Sequence, residues 1–124
     1  MELVTFNEYD DNIEWKNFIS KYINTAKRFE IHCWNEENEY LEKALKFGTI
    51  KNSEWEYGNI VEGDVTDAFI KMILTTPKPT DTELYNKMTP FFNIFLDDNY
   101  SSSHYGTEVY IGWKDSRVLV RNIL

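Results

Sequence analysis

Between Asp11 and Arg28 the apolar side chains Trp15, Phe18, Ile19, Tyr22, Ile23 and Ala26 recur at the i, i+3, i+4, i+7, i+8 and i+11 spacing of one helical face. Such a stripe must be covered, so the helix requires a second layer of structure to lie against. Asp10 or Asp11 is placed to cap its first amides. Immediately afterwards the period changes. From Phe29 to Trp34, Phe29, Ile31 and Cys33 alternate with Glu30, His32 and Trp34, which predicts a half-buried strand. Leu3 to Phe6, ahead of the helix, reads as an edge strand.

Asn35 then offers a cap, with Glu36, Glu37 and Glu39 in a first turn, Leu41, Ala44 and Leu45 in an apolar stripe, and Lys43 and Lys46 before a stop at Gly48. This predicts a second helix whose charges suit its dipole. Thr49 to Gly63 has no clear period and reads as a loop or a short strand. Asp64 to Leu74 fits both periods, and Asp64 with Asp67 resembles an acidic capping box, which favours helix. The Pro-rich stretch from Thr75 to Asp81 is too short to separate domains. A brief helix from Asp81 to Met88 ends before Pro90. Phe91 to Leu96, Thr107 to Trp113 and Arg117 to Leu124 are rich in aromatic and β-branched residues and predict a C-terminal antiparallel meander, with Ser101-Ser102-Ser103 as a polar loop. The expected fold is therefore α+β: a single domain over residues 1–124, with a mainly antiparallel sheet and N-terminal helices packed on one side.

A chain of 124 residues with 42% hydrophobic content can bury about two thirds of its unfolded surface as one domain. Its 21 acidic against 13 basic residues give a net charge of −8, which opposes binding to nucleic acid or anionic lipid. The lone cysteine, Cys33, has no intramolecular disulfide partner, and the N-terminal residues lack the basic and apolar regions of a secretory signal. No apolar run approaches the roughly 20 residues that cross a bilayer. These features predict a cytoplasmic protein.

Catalytic and metal motifs are sparse. His32, His104 and Cys33 are the only nitrogen or sulfur ligands, and His32 and Cys33 fall on opposite faces of a strand, so no metal and no cofactor is expected. Cys33 is assigned to the core and His32 to the surface or an edge. Ser101, Ser102 or Ser103 with His104 and Asp97 or Asp98 supply the residue types of a nucleophilic triad, without a G-x-S-x-G elbow. Acid pairs of the kind glycosidases use are too abundant here to be informative. The glycines form neither of the usual phosphate-binding loops.

Acids and rings share two regions. Phe29 to Glu42 holds Glu30, Glu36, Glu37, Glu39 and Glu42 with no Lys or Arg, and Glu54-Trp55-Glu56-Tyr57 alternates acids with large rings. A second group comprises Asp97, Asp98, Tyr100, His104 and Tyr105. Taken residue by residue, these are equally what solvated helix faces, core rings and polar turns contain. Taken together, Glu36, Glu37, Glu39, Glu54, Trp55, Glu56, Tyr57, Asp97, Asp98, Tyr100 and Tyr105 form a candidate surface for a basic protein partner. Complementary charge would speed encounter on such a surface, and desolvated rings would slow release.

In size, acidity, Lys/Asn/Ile-rich composition and the aromatic segments Phe29-Glu30-Ile31-His32-Cys33-Trp34 and Ser103-His104-Tyr105-Gly106-Thr107-Glu108, the chain resembles the small bacterial immunity proteins of contact-dependent growth inhibition and other polymorphic toxin systems. The resemblance implies a non-enzymatic, cytosolic toxin inhibitor, a monomer or weak homodimer that binds one cognate basic toxin domain, such as a nuclease, and occludes it. Two alternatives stand beside it: a small hydrolase using the His104 loop, and a self-associating structural or regulatory protein.

Overall fold

The computed structural model describes residues 2–6, 11–80 and 87–112. Seven strands, β1 (Glu2–Thr5), β2 (Arg28–Trp34), β3 (Thr49–Lys51), β4 (Gly58–Asp64), β5 (Asn93–Leu96), β6 (Tyr100–Ser103) and β7 (Glu108–Ile111), form one sheet in the order β1-β7-β6-β5-β2-β4-β3. Every neighbouring pair is antiparallel. Three helices, α1 (Ile13–Ile23), α2 (Asn38–Leu45) and α3 (Asp67–Thr75), cover one face. The fold is thus a single α+β domain with its helices on one side and a C-terminal meander, of which β5 and β7 fall in the expected segments Phe91 to Leu96 and Thr107 to Trp113 while β6 falls where a loop is expected.

Alternation along the strands decides what each face carries. Phe29, Ile31 and Cys33 of β2, Val61 of β4, Ile94 and Leu96 of β5 and Val109 of β7 meet Trp15, Ile19 and Ile23 of α1 and Phe69, Met72 and Ile73 of α3 in one core. Phe29 stacks on Phe69 with ring centroids 4.0 Å apart. The opposite face, which carries no helix among the described residues, receives Glu30 and His32 of β2, Asn93 and Phe95 of β5 and Ser101 and Ser103 of β6, all buried.

Several local expectations are corrected. Thr49 to Gly63 contains two strands, because β4 pairs on both sides, with β2 and with β3, and that pairing outweighs the weak strand preference of its two glycines. Ser101, Ser102 and Ser103 form strand β6, buried between β5 and β7, and not a polar loop. Thr66, and neither Asp64 nor Asp67, caps α3, its Oγ1 accepting from Phe69 N at 3.1 Å. At α1, Asp11 Oδ1 accepts from Ile13 N at 3.1 Å. His32 is as buried as Cys33. The expected helix at 81–88 for the most part, and the strand at 117–124 entirely, lie outside the described residues.

Candidate functional site

Strand β2 leaves the sheet at Trp34, and the next residue ties two distant parts of the chain together. Asn35 N donates to Tyr57 O at 2.9 Å, Asn35 Nδ2 donates to Glu56 O at 2.9 Å, and Asn59 Nδ2 donates to Asn35 Oδ1 at 3.1 Å. The turn into α2 therefore lies against the β3–β4 loop. Glu36 and Glu39 from the first segment, and Glu54, Glu56 and Tyr57 from the second, are exposed on this corner. Tyr57 retains 62% of its accessible surface.

Glu37 serves a different purpose from its neighbours. It occupies the N-cap position of α2, Oε1 accepting from Trp34 N at 3.0 Å and Oε2 accepting from the Tyr105 hydroxyl at 3.0 Å. Both oxygens are engaged in holding the corner, which leaves Glu37 half-buried. Tyr105 reaches it from the β6–β7 turn, where His104, Tyr105 and Gly106 all take positive φ. Hydrogen bonds from Tyr105 N to Phe92 O (3.0 Å) and from Thr107 Oγ1 to His104 O (2.9 Å) hold this uncommon backbone in place.

Beneath the carboxylates lies a layer of rings. Trp34 meets Trp55 edge-on at 4.9 Å and tilts against Phe92 at 4.9 Å, and Phe92 meets Tyr105 at 5.2 Å and His104 at 5.9 Å. Trp55 is seated on Gly58 of β4, where no side chain stands in its way. Lys87 Nζ stands 4.3 Å above the Tyr105 ring, so the corner is acidic with one cation at its margin.

A chain of buried polar groups runs under the same rings across three strands. Lys51 Nζ is 3.1 Å from Glu30 Oε1, Glu30 Oε2 is 2.8 Å from His32 Nε2, and Asn93 Nδ2 is 3.1 Å from His32 Nδ1. With the amide of Asn93 donating, His32 carries its proton on Nε2 and donates it to Glu30. Lys51 is half-exposed while Glu30 is almost fully buried, so the ammonium brings charge balance to a carboxylate taken out of water. Between this chain and the β3–β4 loop is a cleft of about 480 Å³, lined by His32, Lys51, Ser53, Glu54, Trp55 and Ile60 among others.

The second group of sequence candidates is taken apart by the fold. Asp97 and Asp98 sit at the Arg28 end of β2, about 20 Å along the strand from Trp34. The Asp97 carboxylate accepts from Lys27 N (3.1 and 3.2 Å) and Arg28 N (2.9 Å), which makes it a structural cap. Tyr100 is not a surface ring: it is 1% exposed, lies 5.2 Å from Tyr22, and burial raises its hydroxyl well above the ordinary range. Tyr105 is likewise buried, and it belongs with Glu37 at the opposite end of the sheet. Trp55 is half-buried, and only Tyr57 among the candidate rings is exposed.

The serine and histidine loop does not assemble a triad. The Oγ atoms of Ser101, Ser102 and Ser103 are buried without a hydrogen-bond partner among the described residues, while His104 Nε2 faces Glu108 Oε2 at 3.6 Å. Burial, with the charge of Glu37 second, pushes the Cys33 thiol up to about 12, the profile of an inert core thiol. Among the described residues no three His, Cys, Asp or Glu side chains converge as metal ligands, and no helix is long and apolar enough to cross a membrane.

Sequence reasoning passes over Asn59, Lys51 and Phe92. It gives Asn35 the cap of α2, a position Glu37 takes, and the hint of Asn35's bridging role is a polar amide at the end of a strand. Compared with protein-family models, with curated proteins and with solved structures, the chain matches none at a significant level.

Proposed function

We propose that this chain is a non-enzymatic binding protein that neutralises a basic partner protein by covering it, most concretely an immunity protein acting on the nuclease-type domain of a cognate toxin in the cytoplasm. The observation that carries this reading is the clamp at Asn35. It merges two acidic segments 21 residues apart into one corner, with Glu36, Glu39, Glu54, Glu56 and Tyr57 outward and a rigid ring layer beneath. Clustered like charge opposes the folded state, so a surface that gathers it and then braces it is suited to meet opposite charge. The net charge of −8 argues in the same direction, away from nucleic acid and anionic membranes.

The test is a growth assay. The C-terminal domain encoded by the adjacent upstream reading frame is induced with and without this chain. Rescue by the wild-type chain, and its loss in a folded variant carrying Glu36→Lys, Glu39→Lys, Glu54→Lys and Glu56→Lys, is the expected result. Association of that variant should slow by about tenfold or more at low ionic strength and lose most of its salt dependence. A toxic neighbouring domain that the wild-type chain does not neutralise would overturn the proposal.

A further inference from the structure

The cleft beside the acidic corner differs chemically from the corner itself. Its lining includes Ile60, 5% exposed, and Lys51. The Lys51 ammonium is drawn towards the buried Glu30 carboxylate at 3.1 Å, so its charge is largely answered from below. One wall is the Trp55 ring, held by Trp34 and Gly58 yet still half-accessible, and the exposed Glu54 carboxylate stands at the rim. On the adjoining corner Glu56, Glu36 and Glu39 are exposed acids, and the Lys87 ammonium lies at its margin over the Tyr105 ring. An anion is therefore disfavoured. A long apolar stem ending in a flat cation is favoured, because a planar guanidinium stacks on an indole and still donates to a carboxylate, whereas an ammonium keeps its hydration.

We propose that this cleft is the anchor pocket of the interface and receives an arginine side chain of the basic partner, its guanidinium against Trp55 and paired with Glu54. This inference rests on the acidic corner being the partner-binding surface. A volume of about 480 Å³ is ample for one side chain and lies in the range of clefts that enclose small ligands. Trp and Arg are also among the residue types enriched at interface hot spots.

Blocked hexa-arginine and hexa-lysine peptides, titrated into the full chain at low salt and followed by tryptophan fluorescence and by the indole N–H signals in NMR spectra, separate the two ideas. Hexa-arginine should bind about two- to fivefold more tightly than hexa-lysine and should shift the Trp55 indole signal most. Trp55→Leu should abolish that preference while both peptides still bind through charge. Glu54→Gln should weaken hexa-arginine more than Glu42→Gln does, the same charge change on an exposed position of α2. If Trp55→Leu proves unfolded by urea denaturation, the Glu54 and Glu42 comparison decides alone. Equal affinity for both peptides with no response at Trp55 overturns the arginine pocket and leaves the acidic corner standing. If neither peptide binds, both readings are overturned.

Discussion

Gly58 supports the whole arrangement around Trp55, and replacing it tests that arrangement directly. A Cβ on Gly58 would lie 2.7 Å from Cys33 O and closer still to the six-membered part of the Trp55 ring. Ordinary carbon contacts lie at about 3.5–4.0 Å, so the ring must retreat by roughly 1 Å or β2 and β4 must part locally. Such overpacking costs about 1–3 kcal/mol, and a displaced Trp55 also forfeits its edge-on contact with Trp34, worth about 0.5–1.5 kcal/mol. Against this, alanine restricts the unfolded chain and returns about 0.4–1 kcal/mol. Gly58→Ala should therefore destabilise the domain by about 0.5–4 kcal/mol, with about 2 kcal/mol as the central figure. With a urea slope near 2 kcal/mol/M for a chain this size, the midpoint falls by about 1 M with the slope unchanged. In a Trp55→Leu background the same substitution should cost about 0.5–1 kcal/mol less, because the ring it strikes is gone. A midpoint that holds or rises in Gly58→Ala would show that Trp55 is not seated on this strand, and the anchor pocket would lose its wall.

Three further outcomes are expected. Asp97→Ala removes the acceptor of the Lys27 and Arg28 amides and should cost about 2 kcal/mol in urea denaturation, while Asp97→Asn, which keeps Oδ1 and tolerates the φ of 49°, should cost less than half as much. Thr66→Ala should cost about 1 kcal/mol through the lost α3 cap, and Thr66→Ser should be near neutral. Cys33 should resist thiol reagents at pH 8 in the native protein and react fully in urea, since its thiol is pushed up to about 12 by burial. Above the ordinary thiol range near 8.5 the unfolded chain loses this proton and the folded one keeps it, so stability should fall as pH rises from about 8.5. Between about pH 8.5 and 10, before the buried Tyr100 hydroxyl adds a loss of the same sign, the slope approaches about 1.4 kcal/mol per pH unit and should flatten in Cys33→Ala.

The clearest sequence signals were those set by local geometry. The stripe of α1 and the alternation of β2 announce themselves because each element buries one face, and periodicity records that burial. Strands β4 and β6 do not, since Gly58, Gly63 and three serines are poor strand formers that pairing on both sides holds in place. The acidic segments were likewise visible, whereas their union was not, because it depends on the Asn35 amide meeting backbone 21 residues away. Tyr100 and Tyr105 were grouped by closeness in sequence. Strand direction sends them to opposite ends of β6, one into the core and the other towards Glu37. Glu30 reads in sequence as one of the acids of an exposed stretch, although its position on β2, opposite Phe95 of β5, buries it with a lysine and a histidine as partners.

The hydrogen bond between Asn93 and His32 crosses the join between two hairpin assemblies, one built from β2, β3 and β4 and the other from β5, β6 and β7. Each assembly closes over short stretches of chain, while their junction brings together residues 61 positions apart and so is the slower, entropically costlier step of assembly. A slip of one residue at that junction would turn Asn93 into the apolar layer beside Ile31 and strand the imidazole without its amide. The pair thus favours one strand alignment: only that register brings the Asn93 amide nitrogen to the His32 ring, while Asn93 Oδ1 stays buried without a hydrogen-bond partner among the described residues.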